Sequence, residues 1–378
     1  MARRAKAAAI AVDAEYDRRV MAAALRLGRR NIGRANPNPA VGCIIVRDGI
    51  VVGRGWTAVG GRPHAERIAL VEAGKAAKGA TAYVTLEPCA HERKDGPCSV
   101  ALAEAGVARV VSALEDPDPR TAGRGHAILE KAGVAVTRGV LAEEAARAHS
   151  GHILRTTKGR PHVTLKLAVS ADGMIGTRGG ERMIVTGKPA FDAVQMMRTE
   201  FDVLMIGIGT ALVDDPRLTV RLPGVTGRTP TRVILDAAAR LPATAQIFQT
   251  IAEAPLILFV GPEAPAERTA ALAAAGATVV PVASASGGID LNAALAHLAG
   301  LGHARVLAEG GANVAASLLT GDLLDEVVIF RAPVVVGPDG VRALAGNALS
   351  AVERSPRYRQ YDMQVVGNDV MRRYARAA

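Results

Sequence analysis

The sequence predicts an α/β fold arranged in two domains. Short apolar runs rich in β-branched residues alternate with stretches of helical periodicity, a pattern typical of strands and helices around a mostly parallel sheet. This alternation begins again after a polar stretch at residues 157–161. A chain of 378 residues is long enough for two domains, each with its own core. We therefore expect domains over 14–150 and 160–378, joined by a linker at 157–161.

In the first half, apolar spacing and terminating glycines indicate the helices. The predicted helices are 15–30, 63–73, 98–105, 123–132 and 142–149. The predicted strands are 41–46, 51–56, 82–86, 107–113 and 134–137. Between the first two strands lies Asp48-Gly49, a dipeptide typical of hairpin turns.

The second half shows the same alternation. Its predicted strands are 162–169, 203–208, 232–236, 256–260, 278–282, 305–309 and 326–333. Its predicted helices are 188–199, 266–275, 291–298 and 314–320. We expect the small residues of 207–210 to form a loop that lets a ligand approach the backbone.

The composition favours a globular protein that binds small anions. Apolar residues make up 49% and charged residues 22%, which argues against disorder. The net charge is +10, yet the basic residues are scattered and aromatic residues are only 3%, so few rings are available to stack on bases. We expect phosphorylated small molecules rather than nucleic acid. No apolar run reaches the roughly 18 residues of a membrane span, and no signal peptide is apparent, so we expect a cytoplasmic protein.

The three cysteines and one histidine carry the clearest chemical signal. Three cysteines in so long a chain do not form a disulfide framework. His64-Ala65-Glu66 precedes Cys89, which follows a proline, and Cys98 comes later, in the order of the zinc-deaminase signature. One His and two Cys bind zinc and leave its fourth position to water, while Glu66 acts as general acid/base. Both His64 and Cys98 are expected at helix starts.

A structural zinc site is the alternative. Eight residues separate Cys89 from Cys98, whereas the commonest signature has two. Structural sites close the coordination sphere with a fourth Cys or His, and His91 is available for this. Plain buried thiols are a weaker alternative, because all parts of the signature occur in order on the expected elements.

Motifs in both halves resemble one known family. Those of the first half are Asn36-Pro37-Asn38-Pro39, Pro63-His64-Ala65-Glu66, Thr85-Leu86-Glu87-Pro88-Cys89, Asp116-Pro117-Asp118-Pro119 and Ala122-Gly123-Arg124-Gly125. Those of the second half are Thr164-Leu165-Lys166, Ser170-Ala171-Asp172-Gly173, Gly207-Ile208-Gly209-Thr210, Asp214-Asp215-Pro216, Leu218-Thr219-Val220-Arg221 and Glu309-Gly310-Gly311. Together they resemble the bifunctional deaminase/reductase of riboflavin biosynthesis over nearly the whole chain.

The resemblance implies a cytidine-deaminase-like α/β sandwich followed by a dihydrofolate-reductase-like α/β domain. The first domain, with Zn²⁺, would hydrolyse a ring amine from a diaminohydroxypyrimidine that carries a phosphoribosylamino group. The second, with NADPH, would reduce the ribosyl chain to ribityl. Asn38 would contact the pyrimidine and Lys94 would hold the substrate.

The resemblance also assigns residues of the reductase half. Its substrate positions correspond to Lys166, Arg182, Arg198, Leu218, Arg221 and Glu309. Its cofactor positions correspond to Ala168, Ile184, Thr210, Asp214, Ala237, Gly311, Ala312, Asn313, Val314, Ala315, Ala316 and Ser317. The family's Trp near these positions is absent, and Arg182 replaces a small hydroxyl residue. Glycines before a helix suit an anion, and guanidinium groups suit a phosphate.

Three functional hypotheses remain at this stage. The leading one is a bifunctional small-molecule enzyme, which could form a homo-oligomer through its reductase domain. In the second, the deaminase is active but the second domain is redox-inactive or takes a different substrate. In the third, the chain is a nucleic-acid-editing deaminase, against which the low aromatic content argues.

Overall fold

The computed structural model describes residues 13–91, 96–178, 183–285 and 288–377. The chain divides into two compact units. One joins the chain up to Asn31 with Asn38–Ile153, and the other joins Ile32–Pro37 with Leu154–Ala378.

The first unit is built on a five-stranded mixed sheet. Its strands are β1 (Gly42–Arg47), β2 (Ile50–Trp56), β3 (Thr81–Val84), β4 (Arg109–Ser112) and β5 (Ala135–Arg138). Its helices are α1 (Ala14–Gly28), α2 (Ala65–Ala73), α3 (Cys98–Glu104), α4 (Arg124–Lys131) and α5 (Ala142–Ala148); α6 (Ser150–Lys158) follows. The strand order is β2-β1-β3-β4-β5, in which β1 is antiparallel to both neighbours and β3, β4 and β5 are parallel.

Helices cover both faces of this sheet. Alternate residues of β1 point to opposite sides: Cys43 and Ile45 pack with α2, α3 and α4, whereas Ile44 packs with Met21 of α1. The Asp13 side chain caps α1 by accepting hydrogen bonds from the first amides of the helix. The result is a sandwich of a sheet between two helical layers.

The second unit is built on a nine-stranded sheet, and four further strands among its described residues form two separate two-stranded sheets. Its strands are β6 (His162–Val169), β7 (Met174–Thr177), β8 (Val203–Gly207), β9 (Thr231–Leu235), β10 (Leu256–Val260), β11 (Thr278–Pro281), β12 (Ser284–Ala285), β13 (Gly288–Ile289), β14 (Arg305–Glu309), β15 (Glu326–Arg331), β16 (Gly340–Arg342), β17 (Tyr358–Val366) and β18 (Asp369–Arg376). Its helices are α7 (Lys188–Arg198), α8 (Ile208–Asp214), α9 (Ala266–Ala274), α10 (Leu291–Gly300), α11 (Ala312–Thr320) and α12 (Ser350–Glu353).

The order in the large sheet is β11-β10-β9-β8-β14-β6-β15-β18-β17. The first seven strands are parallel, and β18 and β17 add an antiparallel hairpin at one edge. The core on one face includes residues of α10 and α11, and the core on the other includes residues of α7 and α9. Because the parallel strands point the same way, their carboxyl ends meet at one edge, where ligands of α/β sheets usually bind.

The α/β prediction is confirmed in both halves, but two local predictions are wrong and one hairpin was missed. Residues 157 and 158 of the expected linker belong to α6, and the chain leaves the helix only at Gly159, whose φ is +64°. Residues 207–210 are not a loop, since α8 begins directly after Gly207. The β17–β18 hairpin was not predicted at all. Among the described residues, no helix is both long enough and apolar enough to cross a membrane.

Candidate active sites

Three side chains of the first unit that could bind a metal ion lie together. The Nδ1, Sγ and Sγ atoms of His64, Cys89 and Cys98 are all within 4.8 Å of one another. His64 Nδ1 lies 3.6 Å from Cys89 Sγ and 3.4 Å from Cys98 Sγ. An imidazole and two thiols at these distances form a donor set suited to zinc.

The local backbone explains how His64 reaches this place. It is the residue before the first turn of α2, and α2 lies so close to β2 that a Cβ at Gly55 would sit 2.0 Å from the Ala65 carbonyl oxygen. Glycine is therefore required at position 55. Asn38 Nδ2 donates to the Gly61 carbonyl at 2.8 Å and lies 3.4 Å from His64 Nε2, on the other side of the imidazole ring. The predicted substrate residue Asn38 thus adjoins the metal-ligating group.

The start of α3 favours a thiolate. Cys98 is the first residue of this helix, and its amide donates to Cys89 Sγ at 3.4 Å. The Ser99 hydroxyl donates to the Cys89 carbonyl at 3.0 Å and fixes the loop to the helix. The hydrogen bond from the Cys98 thiol, together with the one to His64, lowers the pKa of Cys89 to about 4. A metal ligand at this position would carry a negative charge at neutral pH.

Glu66 is a buried carboxyl group beside these ligands. It is the second residue of α2 and is only 3% exposed. Burial raises the pKa of Glu66 to about 7, although the neighbouring His64 opposes the shift. A carboxyl group with such a pKa can both accept and release a proton near neutral pH.

The structure does not favour the alternative of a fourth protein ligand. Among the described residues, the candidate metal-binding group that contains Cys89 consists of His64, Cys89 and Cys98 and does not include His91. His91 Nδ1 instead lies 3.4 Å from Thr121 Oγ1. The predicted substrate residue Lys94 lies outside the described residues.

Sequence reasoning missed the residues that support the Cys89 loop. The Glu87 carboxylate accepts hydrogen bonds from the amides of Asp116, Gly123 and His126, which fastens the loop to the start of α4. His152 Nε2 on α6 lies 2.9 Å from Asp116 Oδ1, so α6 also holds this region. The motif around Glu87 was a signal for its importance, whereas nothing in the sequence marked His152.

A second cluster of charged side chains lies at the carboxyl edge of the large sheet. Arg198, the last residue of α7, donates from Nε and Nη2 to the two oxygens of Glu309, at 2.6 and 2.7 Å. Both residues are 8% exposed. Lys166 on β6 is paired in register with Glu309 on β14. Burial lowers the pKa of Lys166, and the charge of Glu309 opposes this effect.

The segment after α8 approaches this cluster. Arg198 Nη1 donates to the Thr219 carbonyl at 2.9 Å. Leu218 is buried, with a φ of +51°, and Arg221 follows in the same segment. The structure therefore places five predicted substrate residues of the second unit, Lys166, Arg198, Leu218, Arg221 and Glu309, on neighbouring elements. The sixth, Arg182, lies outside the described residues.

The predicted cofactor segment lies at the start of α11. Gly310 and Gly311 have φ values of +78° and +84°, and α11 begins at Ala312 rather than at Val314 as predicted. A Cβ at Gly311 would sit 3.0 Å from Thr210 Oγ1, so α8 lies close to this turn. The unpaired first amides of α11 can face an anion.

The remaining predicted cofactor residues lie on several separate elements of the second unit. Asp214, the last residue of α8, is close enough to Lys166 to affect its pKa, in the direction of raising it. Ala168 lies near the end of β6, and Ala237 follows the end of β9. Ile184 is 78% exposed, so nothing in the described structure holds it against the site. Asn313, Ala315, Ala316 and Ser317 belong to α11 itself, where Ala315 is buried.

The two sites and their folds define a zinc-dependent deaminase joined to an α/β reductase. Two family models support this division. Residues 14–114 match the cytidine and deoxycytidylate deaminase zinc-binding region, and residues 161–372 match the RibD C-terminal domain. The latter covers more than half of the chain.

Relatives match along almost the entire length. The riboflavin biosynthesis proteins RibD of Aquifex aeolicus and Escherichia coli are each 35% identical, over 94% of this chain and 98% of theirs. The solved structure of Acinetobacter baumannii RibD, form 1, is 33% identical, with a TM-score of 0.85 over 97% of this chain and all of that one. The chain belongs to the RibD family. It is a riboflavin-biosynthesis enzyme with deaminase and reductase activities that use zinc and NADPH.

Proposed function

We propose that the two activities act in sequence on one phosphorylated pyrimidine. A Thermotoga maritima structure that is 31% identical, with a TM-score of 0.83 over 97% of this chain, is described as a diaminohydroxyphosphoribosylaminopyrimidine deaminase/5-amino-6-(5-phosphoribosylamino)uracil reductase. We assign the deaminase to residues 14–150 and the reductase to 160–378, an assignment supported by the match of a deaminase model before residue 150 and a reductase model after it.

The single observation that carries the proposal is the His64, Cys89 and Cys98 group with buried Glu66 beside it. One imidazole and two thiolates fit zinc and leave one coordination position for a small ligand. Zinc bound there would supply Lewis acidity that activates water for attack on the ring carbon bearing the amine.

Glu66 has the central role among the protein groups of the deaminase. Its carboxylate would take a proton from the attacking water and deliver it to the amine, which leaves as ammonia. Its burial excludes bulk water, so the proton stays within the site. Asn38 would donate a hydrogen bond to the pyrimidine ring next to His64, and Lys94 would hold the substrate.

The turn at Gly310-Gly311 and the first turn of α11 fit the cofactor of the reductase. NADPH bound there would supply the hydride for reduction of the ribosyl carbon. The amides of Ala312, Asn313 and Val314 precede the first internal hydrogen bond of α11, made by the amide of Ala315, and so are free to face a phosphate group. Thr210 on α8 lies beside this turn, and the remaining assigned cofactor residues are Ala168, Ile184, Asp214, Ala237, Gly311, Ala315, Ala316 and Ser317.

The charged cluster would hold the reductase substrate. The buried Arg198–Glu309 pair fixes the floor of the site, Lys166 would donate to the substrate, and Leu218 would contact it. Arg221 would bind the substrate phosphate through its planar fork of N–H donors. Arg182 is assigned to the same substrate by resemblance alone.

Substitution of Glu66 by Gln tests the deaminase assignment. Gln is nearly isosteric but cannot carry the proton, so we expect ammonia release from the diaminopyrimidine to fall by about 10²- to 10⁴-fold while the zinc content stays unchanged. The reductase, given the deaminated intermediate and NADPH, serves as the internal control and should keep its rate. Normal ammonia release from zinc-loaded Glu66→Gln protein would remove Glu66 from the mechanism.

We propose further that the chain is cytoplasmic, binds no nucleic acid and forms a homo-oligomer through the reductase domain. Free thiolate ligands persist in a reducing compartment, which supports the cytoplasmic location, and cell fractionation tests this location.

The low aromatic content supports the absence of nucleic-acid binding, which salt-dependent RNA binding would contradict. Edge strand β17 supports the third, because Met363 and Val365, which share a face of the strand, are 56% and 76% exposed. Sedimentation of Met363→Lys beside the native chain would reveal whether this face joins copies.

A further inference from the structure

One face of α7 contacts the segment that carries Arg221 at three points. Phe191, Gln195 and Arg198 are spaced four and three residues apart, so they share a face of the helix. Arg198 Nη1 donates to the Thr219 carbonyl at 2.9 Å. The Arg221 amide donates to Gln195 Oε1 at 2.8 Å. The Arg221 guanidinium carbon lies 5.4 Å from the centre of the Phe191 ring.

Gln195 is placed for its oxygen atom. The residue is completely buried, and its Nε2 has no hydrogen-bond partner in the described part of the chain. An unpaired buried donor is costly, so a smaller or apolar residue would suit the packing better if packing were its only role. The gain at this position is the hydrogen bond that fixes the Arg221 backbone.

Phe191 is placed for its ring face. It is 41% exposed, so it contributes little to the core. A guanidinium group above an aromatic face is attracted by the ring, and all its N–H donors lie in its own plane. Contact with the ring face therefore does not occupy these in-plane donors, and the ring limits the rotation of the side chain.

We propose that Phe191 and Gln195 are positioning residues that hold the Arg221 guanidinium ready for the phosphate of the reductase substrate. The proposal rests on the function proposed above for Arg221. Neither residue touches the substrate. They restrict Arg221 before binding, which lowers the entropy lost when the phosphate is captured. The positive φ of buried Leu218 fits a segment whose conformation is held by its surroundings.

The test compares ligands with and without the phosphate. Dissociation constants are measured by calorimetry for 5-amino-6-(5-phosphoribosylamino)uracil and for its dephosphorylated form. In Phe191→Leu we expect weaker binding of the phosphorylated ligand by about two- to five-fold, the range expected for an exposed cation–π contact. Binding of the dephosphorylated ligand and of NADPH should not change. Phe191→Tyr keeps the ring face and should bind like the native protein.

A double-mutant cycle provides the second arm. In an Arg221→Ala background, Phe191→Leu should add nothing, because the guanidinium that it positions is gone. Gln195→Leu should weaken phosphorylated-ligand binding by about two- to ten-fold in folded protein. Because Gln195 is buried, Phe191→Leu at the surface decides the matter if Gln195→Leu does not fold.

The outcomes separate this proposal from the proposed function. Equal losses for both ligands in Phe191→Leu, additive effects in the cycle, or a native protein that does not distinguish the two ligands would overturn the positioning roles. Selective binding of the phosphorylated ligand without any NADPH oxidation by the native chain would instead overturn the reductase assignment and leave the positioning roles standing.

Discussion

The Arg198–Glu309 pair predicts a large loss of stability when Glu309 is replaced by Gln. The two side chains are 10% and 9% exposed and are joined by two short hydrogen bonds. Gln has nearly the same shape, but it keeps only one acceptor oxygen and turns an NH₂ group towards a guanidinium that cannot lose its charge. Although burial alone would raise it, Arg198 holds the pKa of Glu309 below its usual value, so the charged pair is the native state.

The structure sets the size of this effect. Removing one partner from a buried ion pair costs about 3–5 kcal/mol, because the other charge is left uncompensated. For a unit of this size that corresponds to a fall in Tm of roughly 6–20 °C. In the variant, Arg198 Nη1 still donates to the Thr219 carbonyl, so the guanidinium keeps one of its partners. We therefore expect a fall in Tm in the lower half of this range.

Differential scanning calorimetry of the native chain, Glu309→Gln and Asp192→Asn would measure it. Asp192 forms an exposed pair with Lys188 in the same unit, with side chains 43% and 81% exposed, so its loss should cost less than about 1 kcal/mol. If the Tm of Glu309→Gln is no lower than that of Asp192→Asn, the buried Arg198–Glu309 pair does not stabilise the floor of the reductase site, which contradicts this prediction.

Two further predictions concern the metal and pH. The Cys89→Ser variant should lose most of the zinc bound per chain, because a serine hydroxyl stays protonated at neutral pH. The control is Cys43→Ser, which changes a buried thiol outside the group and should keep its zinc. Elemental analysis that finds equal zinc in both variants would refute the ligand assignment. Burial lowers the pKa of His162 from 6.5 to about 4. Between these two pH values the folded state binds fewer protons than the unfolded state, so the folded protein loses stability as the pH falls. From pH 7 to pH 5 the free energy of unfolding should fall by about 2 kcal/mol. Denaturant titrations at both pH values should show a smaller loss for His162→Gln, and an unchanged loss would exclude His162 as its source.

Local patterns predicted most of the fold because most elements here are locally encoded. The hairpin turn at Asp48-Gly49 was predicted from two residues, and both adopt the positive φ that such a turn needs. The central strand β6 was predicted where the pattern of strands and helices begins again after the polar stretch, and its apolar residues Val163, Leu165, Leu167 and Val169 lie at alternate positions. The zinc-ligand candidates were also found from local sequence, because helix starts and short loops determine where these side chains lie.

Other features depend on packing that no local pattern contains. Strands β17 and β18 carry many charged residues, and most residues of β17 are exposed, so the apolar signal of a strand is weak. Helix α8 was missed because Gly207, the residue before the helix, and Gly209, within it, favour a loop when considered alone. The contact of Gln195 with Arg221 joins residues 26 positions apart and requires knowing that this segment lies on α7.

The central claim is that one chain performs both reactions, and product analysis tests it most directly. The purified, zinc-loaded full chain is incubated with the diaminohydroxyphosphoribosylaminopyrimidine, with and without NADPH, and ammonia, NADPH and the pyrimidine products are quantified by absorbance and mass spectrometry. We expect the deaminated ribosyl compound to accumulate without NADPH. With NADPH, the ribityl product should form with equal amounts of ammonia released and NADPH oxidised. Ammonia release with no NADPH oxidation, and no ribityl product, would contradict the claim and leave a deaminase with a redox-inactive partner domain.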